Sequence, residues 1–250
     1  MTNSNLATNV APNSKDLESK FKLKLESFSD FAVQYGLKIA PYSEITWPKF
    51  RSLNGLLQLQ AYESFKAYYD LCLEASASGI PLNDDRTVAW WAVQKFGLRP
   101  CSDFFDKLQP GDVLELYDTG FVQLYRNWAF FQISSYSMAD LFVYPWPDLY
   151  VRDEEVMKSL MAYSSMVLSG EHRATITCSA PRHIVIESLS ADKNVLDMQV
   201  KYTSPLFDSE GNIAAFFVTS SVYKIGTKEQ EERVANTEKP EASVAILTLA

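Results

Sequence analysis

The apolar positions of the first hundred residues recur at helical spacing. In "SKDLESKFKLKLESFSDFAVQYG", Leu17, Phe21, Leu25, Phe28 and Ala32 fall on one stripe, and Gly36 is a natural stop, so an amphipathic helix is expected from Lys15 onward. The segment "APYSEITWPKF" reads as a turn. Residues 51–78 then place Leu53, Leu56, Leu57, Ala61, Phe65, Tyr68, Tyr69 and Leu73 at helical intervals, closed by Gly79 and Pro81. A third helix is expected in "LNDDRTVAWWAVQKFG", capped by Asn83 or Asp84 and closed by Gly97 and Pro100. The adjacent Trp90 and Trp91 point to different faces of that helix, one fit for a core and the other for a neighbour.

At "LQPGDVLEL" the period changes from helical to alternating, and with "YDTG" as a turn and "FVQLYRN" as a return strand it predicts a hairpin. An aromatic-rich stretch follows, and then "DEEVMKSLMAYSSMVLSG", a helix with an acidic first turn that ends at Gly170. Strands are expected in "HRATITCSAP" with its continuation "RHIVIESLS", in "NVLDMQVKYTSPLF" and in "NIAAFFVTSSVYKI", the last two joined by the tight turn Asp208 to Gly211. The order is two strands, short helices, one longer helix and an antiparallel meander.

That order and its residues resemble the PAS sensor family. In "GFVQLYRNWAFFQISSYSMADLFVYPWPDL", Asn127 stands where the family's second strand ends in Asn. Ser135-Tyr136 stands at its Gly-Tyr, Met138 to Leu141 at its following short helix, and Tyr144-Pro145-Trp146 at its Pro-aromatic step. "DLYVRDEE" resembles the acidic start of the long helix, and "SPLFDSEGNIAAFFVTSSV" the closing hairpin. The resemblance spans about residues 110–226. Ser135 in place of Gly, the stretched turn "SLSADKN" and a missing His-Pro depart from it.

The fold class implied is α+β: an N-terminal helical module followed by a PAS-like domain with a five-stranded antiparallel sheet and short helices. The expected organisation is a disordered start at 1–15, the helical module at 16–108, the PAS-like domain at 109–226 and a flexible tail at 227–250. "ASVAILTLA", at the end of that tail, is read as docked, disordered or paired to a sheet edge.

A PAS-like fold leaves a pocket between sheet and helices, filled by side chains or by a small molecule. The candidate lining residues are Trp128, Phe131 (or Phe130), Tyr136, Trp146, Tyr150, Tyr163 and Phe217. Pro145 and Pro147 hold their segment open and irregular. The resemblance implies a sensory or regulatory protein that binds a small molecule or a protein partner and signals through protein contacts. The alternative is a scaffold whose PAS-like core is filled and senses nothing.

Composition narrows the chemistry. The 250 residues are 47% hydrophobic, which supports a substantial core, while a net charge of −8 with no Lys/Arg run argues against nucleic acid binding. Cys72, Cys101 and Cys178 are widely spaced and odd in number, which suits a reducing compartment rather than a disulfide framework. No secretory pattern opens the chain and no apolar run is long enough to span a bilayer, so a cytoplasmic protein without membrane attachment is expected.

His172 and His183 are the only histidines; His172 reads as a solvent-facing loop residue and His183 as an exposed or core strand residue, so heme is disfavoured. Covalent flavin chemistry is disfavoured too, because none of the cysteines falls in the helical segment where the family carries its reactive thiol. The cofactor is left unknown. The carboxylate run 153–155 is explained by a helix N-terminus, and nine scattered glycines form no phosphate loop, so the chain is not expected to be an enzyme. Apolar helices and open sheet edges imply a homodimer.

Overall fold

A computed structural model describes residues 14–228; the parts of the expected N-terminal disorder and C-terminal tail that fall at 1–13 and 229–250 lie outside the described residues. The chain opens with α1 (Ser14–Val33), α2 (Thr46–Ser52), α3 (Gly55–Ala77) and α4 (Asp85–Lys95). Next come β1 (Arg99–Pro100), α5 (Phe104–Lys107), and the hairpin of β2 (Val113–Asp118) and β3 (Gln123–Arg126). Two short helices, α6 (Trp128–Ile133) and α7 (Asp140–Val143), lead through a 3-10 turn at Trp146–Leu149 into β4 (Tyr150–Val151) and α8 (Glu154–Leu168). The chain finishes with β5 (Ile176–Thr177), β6 (His183–Glu187), β7 (Asn194–Phe207) and β8 (Ile213–Thr227).

Side-chain caps set the helix starts. Asn54 Oδ1 accepts from the Leu57 amide at 3.0 Å, Asp84 Oδ1 from Thr87 at 3.2 Å, and Asp153 Oδ1 from Glu155 and Val156 at 2.9 and 3.1 Å. Each such cap contributes about 1 kcal/mol. At the far end of α8, Gly170 takes φ +77°, a left-handed stop that a side chain would strain. The segment "APYSEITWPKF" does not stay a turn: Thr46 to Ser52 closes a short helix whose Phe50 is fully buried against Phe21.

The sheet is antiparallel, in the order β3-β2-β8-β7-β6-β4. The expected five-stranded sheet is thereby corrected to eight strands, because β4 extends it and β1 and β5 also pair with β7. The physical reason is the length of β7. Its 14 residues exceed a common strand of about six. On the side away from β8 it pairs in succession with β6 at 195–198, β5 at 202–203 and β1 at 206–207.

One buried cluster runs from Leu17 in α1 through Phe65 and Tyr68 in α3 to Phe217 and Val222 in β8, so the hydrophobic core is continuous across residue 108. Phe104 of α5 stacks on Phe217 with ring centroids 4.5 Å apart and planes 7° apart, and Tyr68 of α3 packs on Tyr125 of β3 at 6.1 Å. Strand alternation places the neighbours Phe216 and Arg126 on the other face of the sheet.

Asp85, in the first turn of α4, lies against the N-terminus of α6. Burial pushes its carboxyl up to about 6, outweighing the Asn127 side chain and the Ala129 and Trp128 amides, which act to lower it. A carboxyl raised in the folded state favours folding below its unfolded pKa and loses that contribution as pH rises through about 6. Asp85→Asn is therefore expected to match the parent near pH 4 and to be more stable by about 1–2 kcal/mol at pH 7. Urea midpoints of both proteins across that range check it; a constant difference at all pH values contradicts it.

Candidate functional site

Register brings the site together. Glu115 pairs with Arg126 of β3 on one side and Val218 of β8 on the other, and Tyr117 pairs with Phe216. Paired residues share a face, so Glu115, Tyr117, Arg126, Phe216 and Val218 all turn toward α8. Arg126 is fully buried and ion-paired to Glu115. The Tyr117 hydroxyl donates to Glu115 Oε1 at 2.9 Å and accepts from Arg126 Nη2 at 3.2 Å. The guanidinium also lies over the Phe130 ring, 3.9 Å from its centroid.

These contacts leave Arg126 Nε and Nη1 without a hydrogen-bond partner, and the buried Tyr150 Oη and Arg152 Nε are in the same condition. Arg152 lies 5.3 Å over both the Trp146 and the Tyr150 rings, and among the described residues no carboxylate pairs with it. All four of these side chains, with Glu115 and Tyr117, line one cavity between the sheet and α8. Its remaining wall is Phe121, Leu160, Ser164, Met198, Val200, Thr203, Phe216, Val218 and Ser220. The cavity has a volume of ≈ 50 Å³, room for about three or four waters.

The electrostatics follow from burial. Desolvation is the largest single influence on Arg126 and lowers its pKa, but the Glu115 charge and the Tyr117 and Tyr150 phenols together outweigh it, and the guanidinium is held more firmly protonated than usual. Arg152, with no carboxylate against it, is lowered by burial. Burial raises the Tyr117 and Tyr150 phenols, so both are neutral hydrogen-bonding groups near neutral pH. One carboxylate thus faces two guanidinium groups.

Phe121, in the β2–β3 turn, takes φ +62°, although Gly120 stands next to it. A bulky residue in the left-handed region costs about 1–2 kcal/mol. The turn is held by Asp118 Oδ1, which accepts from the Gly120 and Val122 amides at 2.8 Å, and Phe121 packs edge-on against Phe216 at 5.5 Å. Its ring is shared, with Tyr117 and Trp146, by a second and larger hollow of ≈ 320 Å³ between α2, α3 and α7. Tyr117, Phe121 and Trp146 form the wall between cavity and groove.

Of the candidate residues read from the sequence, Trp146 and Tyr150 line the cavity. Trp128 packs edge-on against Phe31 and Tyr35 at the end of α1. Phe131 and Tyr136 border a separate surface groove beside Lys38 and Ala40. The Tyr136 hydroxyl serves as a clamp, accepting from the Ser188 and Leu189 amides at 3.1 and 3.3 Å and donating to the Leu149 carbonyl. Phe130 is buried under Arg126; Tyr163 is half-buried on α8 with its hydroxyl on Ser179; Phe217 lies on the opposite sheet face against Phe104. Sequence reasoning missed Glu115, Tyr117, Phe121, Arg126 and Arg152. The available signal was an arginine inside the apolar strand "FVQLYRN".

His172 is exposed, His183 is half-buried with Nδ1 3.0 Å from the Pro181 carbonyl, and neither they nor the three buried cysteines line the cavity. Among the described residues no helix is long and apolar enough to cross a membrane.

No family model and no curated protein matches this chain. Solved structures do. A sensory box sensor histidine kinase from Vibrio cholerae is 14% identical, with TM-score 0.32 over 50% of this chain and 89% of the other. A light-oxygen-voltage domain whose mechanism was studied with a flavin analogue is 14% identical, with TM-score 0.33 over 51% and 87%. The light-state dimer of the fungal blue-light photoreceptor Vivid is 13% identical, with TM-score 0.33 over 45% and 78%.

Proposed function

We propose that this chain is a cytoplasmic PAS-type sensory or regulatory module that takes a small molecule between its sheet and α8 and passes its occupancy to a protein partner, with no catalytic step of its own. The observation that carries the reading is a fully buried arginine that lines the cavity and has two nitrogens without a hydrogen-bond partner. Buried polar groups are costly unless hydrogen-bonded, so such a constellation favours an occupant that supplies acceptors. The order of two strands, short helices, a long helix and a meander supports the PAS assignment.

A route to the outside is built into the same arginine. Its carbonyl, on edge strand β3, accepts from the Tyr68 hydroxyl at 3.0 Å, and Tyr68 belongs to α3. A change in how Arg126 is held is thus one peptide away from the helical layer. A sensor needs this differential contact between its states.

The small free space of ≈ 50 Å³ favours a second reading, a scaffold whose core is already filled by side chains. Ser220→Val separates the two, because Ser220 is a buried β8 residue on the cavity wall and valine suits a strand. The sensor reading expects this partial filling to alter amide hydrogen exchange in α3 around Tyr68. Exchange changes confined to β8 and α8 support the scaffold and contradict the sensor.

A further inference from the structure

We infer that the cavity recognises a small organic monoanion, a carboxylate carrying an apolar or aromatic body, with its charged group on Arg126 and Arg152 and its body passing between Phe121 and Trp146 into the outer groove. The inference rests on the sensor reading above and gives its ligand a chemical class. Two cationic side chains face the cavity against the single carboxylate of Glu115, which leaves a local excess of one positive charge. Arg126 Nε and Nη1, Arg152 Nε and the Tyr150 hydroxyl are donors without partners, and a carboxylate accepts several donors at once. A dianion would exceed the local charge.

Shape selects further. The interior offers ≈ 50 Å³, enough for a carboxylate group and little else, while the adjoining groove offers ≈ 320 Å³ lined by Leu53, Leu57, Phe142 and Val143. Phe121 and Trp146 belong to both spaces, so a ligand that reaches both displaces or threads this aromatic pair. The strained φ of Phe121 fits a wall that has a second conformation within reach.

Phenylacetate, benzoate and hexanoate, each beside its neutral amide, are the test ligands, titrated calorimetrically into the full chain. The acids are expected to bind with at least about tenfold higher affinity than the amides, and Arg152→Gln to lose at least about tenfold for the acids alone. Arg152 is half-buried and unpaired, so that variant is expected to fold; unchanged circular dichroism and an unchanged urea midpoint establish it. Equal affinity for acid and amide, retained affinity in Arg152→Gln, or no binding of any acid at millimolar concentration overturns the inference. A neutral molecule found bound to the purified chain also overturns it, yet leaves the sensor reading standing.

Discussion

Arg126→Met is expected to destabilise the fold by about 3–5 kcal/mol, read as a fall in the urea midpoint. The loss comes less from the ion pair itself than from what its removal strands. Glu115 and the Tyr117 hydroxyl stay in a mostly apolar interior with their shared cationic partner gone. Arg126→Met combined with Glu115→Gln is expected to recover much of the loss, because neither buried charge is then uncompensated. As a control, the exposed Arg51, paired with Glu18 on the surface, is expected to tolerate Met with no measurable shift. A loss below about 1 kcal/mol for Arg126→Met contradicts a buried charge at the centre of the site.

Glu187→Ala is expected to cost about as much, roughly 3–5 kcal/mol, for a different reason. Glu187 is fully buried at the end of β6 and gathers donors: Ser134 Oγ at 2.6 Å, the Ser135 amide at 3.0 Å, Ser135 Oγ at 2.5 Å, Ser190 Oγ at 2.6 Å and the Asn194 amide at 3.2 Å. Alanine leaves all of them without an acceptor, and the junction between α6 and the β6–β7 hairpin loosens. Glu187→Gln keeps one acceptor oxygen and turns an amide donor toward the others, so a smaller yet clear loss is expected. Thermal unfolding of the three proteins ranks them; an alanine variant as stable as the parent contradicts the arrangement.

Long elements were legible in the sequence because they carry a period. α1, α3 and α4 show their stripes, and β7 and β8 are long runs rich in apolar residues on either side of the Asp208–Gly211 turn. The two-residue strands β1 and β4 are too short to show any period, and the one strand expected in "HRATITCSAP" with "RHIVIESLS" is divided into β5 and β6, which is why five strands were expected and eight are present. The site itself was harder. Ala215, Phe216 and Phe217 are all buried, so nothing in the local pattern says which of two adjacent phenylalanines faces the cavity. Phe216 does, and Phe217 supports the helical layer instead.

Ser135 shows the same limit from another side. The family resemblance expects glycine there, and the serine's purpose appears only through Glu187, 52 residues further along. Arg126 was visible as a letter but not as a buried charge, since its burial depends on Glu115 and Tyr117 across a hairpin and on Phe130 in the next helix.

Native mass spectrometry of the full chain as purified, compared with its denatured mass, tests most directly whether the cavity is a binding site. A native mass in excess by one small organic molecule is expected, retained on gentle ionisation, lost on denaturation and weakened in Arg152→Gln. Identical native and denatured masses, both as purified and after incubation with a metabolite extract, would contradict it.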